Sequence, residues 1–398
     1  MGYRFLFLFM KKYGPYLPAL LMDVCLGSLL TNAAFYSSYL HLSSTFLGTL
    51  TAISTALFVI FAIPFGRLSD KMGRTRVLFA ACLLLAGVSF VLPFCSRKIH
   101  LLLAFPSVGV SMALFWPAYE AWLAEREGGG RLITRVMIFN LFWSVGITTG
   151  PFISSYLYQD TNPVIPFYLA GSVSLLNCVT IYLNARGKTH FERISDLQVS
   201  SSEVPVPVFQ PVYRQVARIA NFASWFSLGI LRQIAPKLTL EAGIPAKTYG
   251  NLMLILGGVQ TLMFLWLGTN RSTRWHYRLT PLIGTQLLAV IGFWGIWLLP
   301  QAIFWTPAFA VIGLCAAVTY FSSMYYGLHG QIDKGNKSGW HEAILGSGIL
   351  LGPFLGGILA DSAWGVKSPY LLCAVAISIC IFIEGIIWLK AKSHTQHR

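Results

Sequence analysis

Charge is scarce in this 398-residue chain: Lys, Arg, Asp and Glu make up 11% of it, against 55% hydrophobic residues. Soluble domains carry roughly twice that charged fraction, so a water-soluble globular fold is excluded. The seven cysteines, at positions 25, 82, 95, 178, 315, 373 and 380, all fall in apolar stretches without paired spacing. They read as small packing residues, not as disulfides or metal ligands. No Walker sequence occurs, so ATP is not the energy source. No cluster of His, Asp and Cys suits metal binding or nucleophile activation, which argues against an enzyme and leaves no cofactor expected. Phe5 to Met10 is too short for a secretory core and lacks a cleavage site, and Leu6 stands where myristoylation needs Ser or Thr.

Long apolar runs are abundant. Each run of about 20 residues can cross a bilayer core of roughly 30 Å as a helix. Twelve spans are read, near residues 16–40, 45–65, 76–95, 100–124, 132–157, 164–185, 212–236, 247–268, 279–299, 303–327, 340–361 and 368–389. The fold class is therefore an all-α polytopic membrane protein with twelve transmembrane helices. An even number of spans puts both termini on one side, and segments on that side hold 23 of the 29 Lys and Arg residues. By the positive-inside rule both termini are cytoplasmic, and the expected location is a bacterial cytoplasmic membrane. The net charge of +15 is spread over these short loops, which argues against nucleic acid as a partner.

The longest polar stretch, residues 186–211, reads as a cytoplasmic linker between an N-terminal half, 1–185, and a C-terminal half, 212–398. Gly48 and Gly66 match Gly250 and Gly268 at an offset of 202, and Gly146-x-x-x-Gly150-Pro151 matches Gly348-x-x-x-Gly352-Pro353 at the same offset. Two matches at one offset point to a duplicated six-span unit. Parallel repeats of this kind place a substrate site between the halves, near mid-membrane.

One short turn gathers charge. Gly66, Arg67, Asp70, Lys71, Gly73, Arg74 and Arg76 lie between spans 2 and 3. The pattern Gly66-x-Leu68-x-Asp70-Lys71-x-Gly73-Arg74-x-Arg76 resembles the signature of the major facilitator superfamily, and the spans, central loop and repeat extend that resemblance along the whole chain. The resemblance implies a monomeric secondary transporter of a small-molecule substrate, working in the lipid bilayer by alternating access. It also implies a latch, in which Asp70 accepts hydrogen bonds at the start of span 11, near Gly339. Orientation of the loop explains its cations but not the aspartate or the glycines. The span-5 motif resembles that of antiporters, with Met137 and Ser154 where two further glycines are usual. In span 4, Phe105 and Pro106 occupy the neighbourhood where proton-coupled members carry an arginine. At offset 202, Ser272, Trp275 and His276 replace Asp70, Gly73 and Arg74, so the acidic switch exists in one copy.

Ionisable groups within spans are costly and are functional candidates by default. Asp23 suits a proton or cation site, or a structural partner for a loop cation. Glu120 shares a helix surface with Trp116 and Tyr119, and its alternative is a salt bridge with Arg74, Arg76 or Arg135. Arg232 suits an anionic substrate group, although snorkelling to the outer interface is the favoured reading. Glu342 reads as a helix cap and Glu384 as peripheral. Asn32 and Tyr36 of span 1, Asn140 and Trp143 of span 5, and Tyr320, Ser323 and Met324 of span 10 complete the expected cavity lining. Such aromatic and Met surfaces suit flat or amphiphilic organic solutes, and they are equally ordinary helix contacts. The expected function is proton-coupled efflux of lipophilic or amphiphilic compounds; the alternative is proton-coupled uptake of a sugar, organic anion or other nutrient.

Overall fold

The computed structural model describes residues 13–125, 132–186, 207–269, 275–299, 301–329 and 334–396, and among them all regular structure is helical. Twelve long helices follow the chain: α1 Leu17–Tyr39, α2 Ser44–Met72, α3 Arg74–Val91, α4 Pro106–Ala124, α5 Leu132–Leu157, α6 Ile165–Arg186, α7 Gln210–Gly229, α8 Ala246–Gly268, α9 Leu279–Leu298, α10 Trp305–Leu328, α11 Lys334–Ala360 and α12 Ser368–Gln396. Eleven are long and apolar enough to cross a membrane. The other, α7, carries Arg214 and Arg218 in its first turns. It continues through a π-helical turn, Ile230–Ile234, into a helical segment, Ala235–Glu241. Lys237, one residue beyond the expected span 212–236, therefore lies inside a helix, where Glu241 one turn later pairs with it. The linker expected at 186–211 falls almost wholly outside the described residues, as do Arg126, Arg131, Arg271 and Arg274.

The two halves repeat one packing plan. In the first, α1 packs on α5 and α6, α2 on α4, and α3 on α4 and α6; in the second, α7 packs on α11 and α12, α8 on α10, and α9 on α10 and α12. The same glycines make equivalent approaches possible. A Cβ on Gly150 of α5 would lie 2.5 Å from the Val24 carbonyl of α1, and a Cβ on Gly352 of α11 would lie 2.1 Å from the Phe226 carbonyl of α7. Lipid tails are as apolar as these side chains, so close backbone contact supplies much of the helix association.

Two helix pairs join the halves, α2 with α11 and α5 with α8, and the Ala235–Glu241 segment leans on α1. Alternating spans place the termini, the α2–α3 turn and the α10–α11 connection on one face, called here the terminal face. At the opposite, far face, Ala34, Leu47, Ile234, Leu238 and Ala360 form a small buried cluster drawn from both halves.

On the terminal face Gly73, at φ +93°, joins α2 to α3 without an intervening loop, a backbone state that side-chain-bearing residues avoid. The corresponding turn of the second half is packed instead of charged. Trp275 is buried, its ring meeting Phe321 and Tyr325, and His276 stacks on Tyr325. Burial, with His329 nearby, lowers His276 to about 4, so it is neutral at physiological pH.

Candidate functional site

A cavity of about 140 Å³ lies between the halves, lined from α1, α2, α4 and α5 on one side and from α7, α10 and α11 on the other. Its walls are mostly aromatic. Trp143 of α5 reaches into the second half, with ring centroids 5.2 Å from Tyr320, 5.6 Å from Phe264 and 6.2 Å from Trp225. Its indole N–H donates to Asn140 Oδ1 at 3.0 Å, which fixes the ring across the interface. Trp116 of α4 meets Phe115 and Phe139 edge to face and completes the wall on the first-half side. Stacked and edge-on rings give a flat, rigid surface at little entropic cost.

Charge enters this apolar chamber at two levels. Deep inside stand Asp23 of α1 and Arg232 of the π-helical turn of α7, both lining the cavity and both buried. They interact electrostatically across it, and no ion pair among the described residues joins them. The Arg232 guanidinium lies 5.3 Å from the Trp225 ring centroid and donates to Gln260 Oε1 of α8 at 3.2 Å. A π-turn re-aims the side chains around it, so Arg232 and its neighbour Gln233 both line the chamber. Three buried polar atoms there are unpaired within the protein: Arg232 Nε, Gln233 Oε1 and Trp225 Nε1. Nearer the terminal face, Glu120 of α4 and Glu342 of α11 line the cavity from opposite halves, each within electrostatic reach of the other and of Tyr320.

Several positions expected from the sequence in the cavity lie elsewhere. Asn32 donates to the Pro163 carbonyl at 2.9 Å, and Tyr36 donates to Pro93 at 3.2 Å, so both tie α1 into the first half. Tyr119 is fully buried and donates to the Pro15 carbonyl at 3.0 Å. Asn140 acts through Trp143. Ser323 is buried against His341 Nδ1 at 2.9 Å, and Met324 packs on the core. Each of these helices has a cavity side and a bundle side. A polar residue facing the bundle finds a hydrogen-bond partner within its own half, and its type alone does not distinguish the two sides. Arg232 also departs from the snorkelling reading, because it is buried, lines the chamber and turns its head toward Trp225 and Gln260. Glu384, expected at the periphery, is buried and accepts from Gln286 Nε2 at 2.9 Å.

The terminal-face motif forms its own network. Arg74 reaches Asp70 at 2.6 Å, Glu125, the residue after α4, at 3.0 Å and Ser69 Oγ at 2.8 Å. Glu125, which sequence reasoning did not single out, takes the Arg74 partnership considered for Glu120. The Asp70 side chain is 57% exposed, and among the described residues its ion pair is to Arg74, in the next helix. Arg67, Lys71 and Arg76 are exposed, and Gly66 packs against Pro117 of α4.

The missed cavity residues had a signal at the repeat offset. Asp23 plus 202 is Trp225, and Trp143 plus 202 is Leu345; both counterparts line the chamber.

Comparison with known proteins places the fold. The family profile described as Major Facilitator Superfamily matches residues 6–331. An uncharacterized MFS-type transporter of Mycobacterium tuberculosis is 22% identical over 312 residues, covering 75% of this chain and 73% of its own length. Multidrug resistance protein 1 of Bacillus subtilis is 24% identical over 369 residues, 90% of each chain. Among solved structures, a bacterial homologue of the human lysosomal transporter Spinster, inward-facing and unoccupied, superposes with a TM-score of 0.71 at 14% identity, covering 96% of this chain and 98% of that one. The nucleoside transporter NupG superposes at 0.66 with 12% identity, covering 95% and 99%.

Proposed function

The chain belongs to the major facilitator superfamily, and from that premise we propose that it is a proton-coupled exporter of small lipophilic or amphiphilic organic solutes. The observation that carries this reading is the chamber between the halves, aromatic on its walls and bearing charge at two depths. Rings from α4, α5, α7 and α10 suit the flat apolar part of a solute. The unpaired atoms of Trp225, Arg232 and Gln233 suit a polar group with an acceptor beside a donor. Asp23, Glu120 and Glu342 supply three carboxyls able to exchange protons along the route. The naming of the Bacillus subtilis relative as a multidrug resistance protein agrees with export. The distribution of Lys and Arg supports a cytoplasmic terminal face, and the bacterial relatives support a bacterial cytoplasmic membrane. The cluster at the far face and the solvent-exposed Asp70 at the terminal face fit an inward-facing state.

Arg232 supports one competing reading, uptake of an organic anion, because a buried guanidinium attracts carboxylate or phosphate. Purified protein in liposomes with an imposed pH gradient tests both. Export predicts that ethidium, a cationic aromatic dye, moves against the proton flow and that Asp23→Asn stops it. Gradient-driven accumulation of an anionic dye in place of ethidium supports uptake, and movement of no solute in either direction defeats the transporter reading itself.

A further inference from the structure

At the far face the second half reaches over and caps a helix of the first. Asp361, the residue after the end of α11, accepts from the Ser44 backbone N–H through Oδ1 at 3.0 Å and from the Thr45 N–H through Oδ2 at 2.7 Å. These are the first two donors of α2, which have no partner within their own helix. The third is taken locally, since Ser43 Oγ accepts from Phe46 N–H at 3.1 Å. The start of α2 is thus capped half by its own chain neighbour and half by the opposite half of the protein. Thr45 Oγ1 adds a bond to the Gly357 carbonyl at 3.4 Å. Beneath it the backbones nearly touch: a Cβ on Gly357 would lie 2.3 Å from the Ser44 carbonyl, and one on Gly48 would lie 2.4 Å from the Pro353 carbonyl. The apolar cluster of Ala34, Leu47, Ile234, Leu238 and Ala360 lies in the same layer.

We propose that Asp361 is a positioning residue for transport, a clasp that holds the far face shut by binding the start of α2 and that must release before that face opens. A carboxylate favours the positive end of a helix, and two N–H donors fix its orientation. Asp70 supplies the contrast. It stands on α2 at the opposite face, is solvent-exposed and is paired with Arg74 of its own half. Among the described residues Asp361 bridges the halves, whereas Asp70 pairs within its own half. The clasp concerns which face is closed and is independent of solute, direction and coupling ion.

The test uses full-length protein in lipid nanodiscs, so neither a substrate nor an orientation is needed. Leu238→Cys places a thiol in the sealed cluster, where Leu238 is 2% exposed, and the seven native cysteines are buried. Labelling by a water-soluble maleimide is slow when the clasp holds. Asp361→Ala is expected to speed it by roughly tenfold or more, the size of a clear shift between two populated states. Ser44→Pro offers a second route. It deletes one donor at the first helical position, where proline is tolerated, and the preceding Ser43 is already extended at ψ 154°. It should speed labelling in the same direction. A second reporter, Ala81→Cys in the core of the first half, should stay unlabelled in both backgrounds. Unchanged Leu238→Cys labelling in folded variants overturns the proposal. So does equal acceleration at Ala81→Cys, or loss of the folded species in both variants, since either makes Asp361 a stabilising cap and nothing more.

Discussion

Arg232→Met tests whether the deep charges form one electrostatic unit. Arg232 is 8% exposed and Asp23 is 6% exposed, so neither has much solvent to fall back on. The substitution removes a hydrogen bond to Gln260 and the stack on Trp225. Those contacts are worth about 1.5–3 and about 2 kcal/mol respectively for a desolvated cation. It also removes the desolvation cost of the guanidinium itself, several kcal/mol, so the local terms largely offset. What remains is Asp23 without its counter-charge. Two unit charges roughly 6–10 Å apart attract by about 1.7–2.8 kcal/mol at an effective dielectric near 20. Arg232→Met and Asp23→Asn should therefore each destabilise the protein, and the double variant should cost less than the two together, by about 2 kcal/mol. Equilibrium unfolding in mixed micelles measures the cycle. Costs that add to within about 0.5 kcal/mol would show that the charges are independent and refute the reasoning. Arg232→Lys keeps the charge without the planar fork. It should retain most of the coupling while weakening solute binding.

Glu120→Gln combined with Glu342→Gln removes both carboxyls at the terminal end of the chamber. Gradient-driven ethidium movement should fall at least about tenfold while counterflow without a gradient survives, and undiminished gradient-driven accumulation would remove these residues from proton coupling. Gly109→Ala and Gly313→Ala place a Cβ 1.7 Å from the Ser54 carbonyl and 2.2 Å from the Leu256 carbonyl. Each should cost upward of about 1–3 kcal/mol in the same unfolding assay, and a neutral result at either would contradict the close approach. The Asp361 clasp should also depend on pH. Partial burial raises the carboxyl, but the hydrogen bonds from Thr45 and Ser44 outweigh it and hold Asp361 below the usual carboxylate range; no charged side chain contributes to the shift. With the clasped value depressed, its stabilisation is complete above the ordinary carboxylate range and is lost as pH falls through the depressed value. Spin labels at the far ends of α2 and α11, frozen across a pH series, should report separation only at the acid end.

The fold was legible because its main signals are one-dimensional. Apolar length identifies a span, and the glycine offset identifies the repeat; Gly146 and Gly348 make corresponding contacts in the structure. The site was only partly legible, for a rotational reason. Asp23, Trp116, Glu120, Trp143, Arg232 and Tyr320 face the chamber, whereas Asn32, Tyr36, Tyr119 and Ser323 face their own bundle. In a helix buried on nearly all sides the apolar pattern loses its period, and nothing in residue type marks the cavity stripe. Gln233 was hidden for a further reason. It owes its placement to the π-turn, which shifts the helical register by one residue and is invisible to any 3.6-residue reading. Asp361 was passed over because a carboxylate just beyond a span end reads as an ordinary loop residue. Its partner is more than three hundred positions away.

The two pairs that join the halves divide the work unequally. Along α5 and α8 the contact runs from Ser155 and Gly250 through Thr148 and Gly257 to Met137 and Gly268. That is about 27 Å of helix, nearly the full apolar thickness. Thr261 hydrogen-bonds Ser144 within it. Along α2 and α11 the close approaches among the described residues run from Ser44 and Gly357 to Val59 and Gly346, after which α2 continues about 20 Å to Met72. Over that last stretch Ile60 and Ile63 are exposed, and the motif aspartate faces solvent. A rocking motion needs one seam that stays closed and another that changes. The small-residue seam of α5 and α8 has the geometry of a pivot. The α2–α11 seam bears an aspartate near each end, Asp70 on α2 and Asp361 just past α11, and of these Asp361 bonds across the seam. The duplication supplied two equivalent seams. Where the first half carries the charged turn, the second packs Trp275 and His276 against Phe321 and Tyr325, so the charged turn borders only one of the two seams.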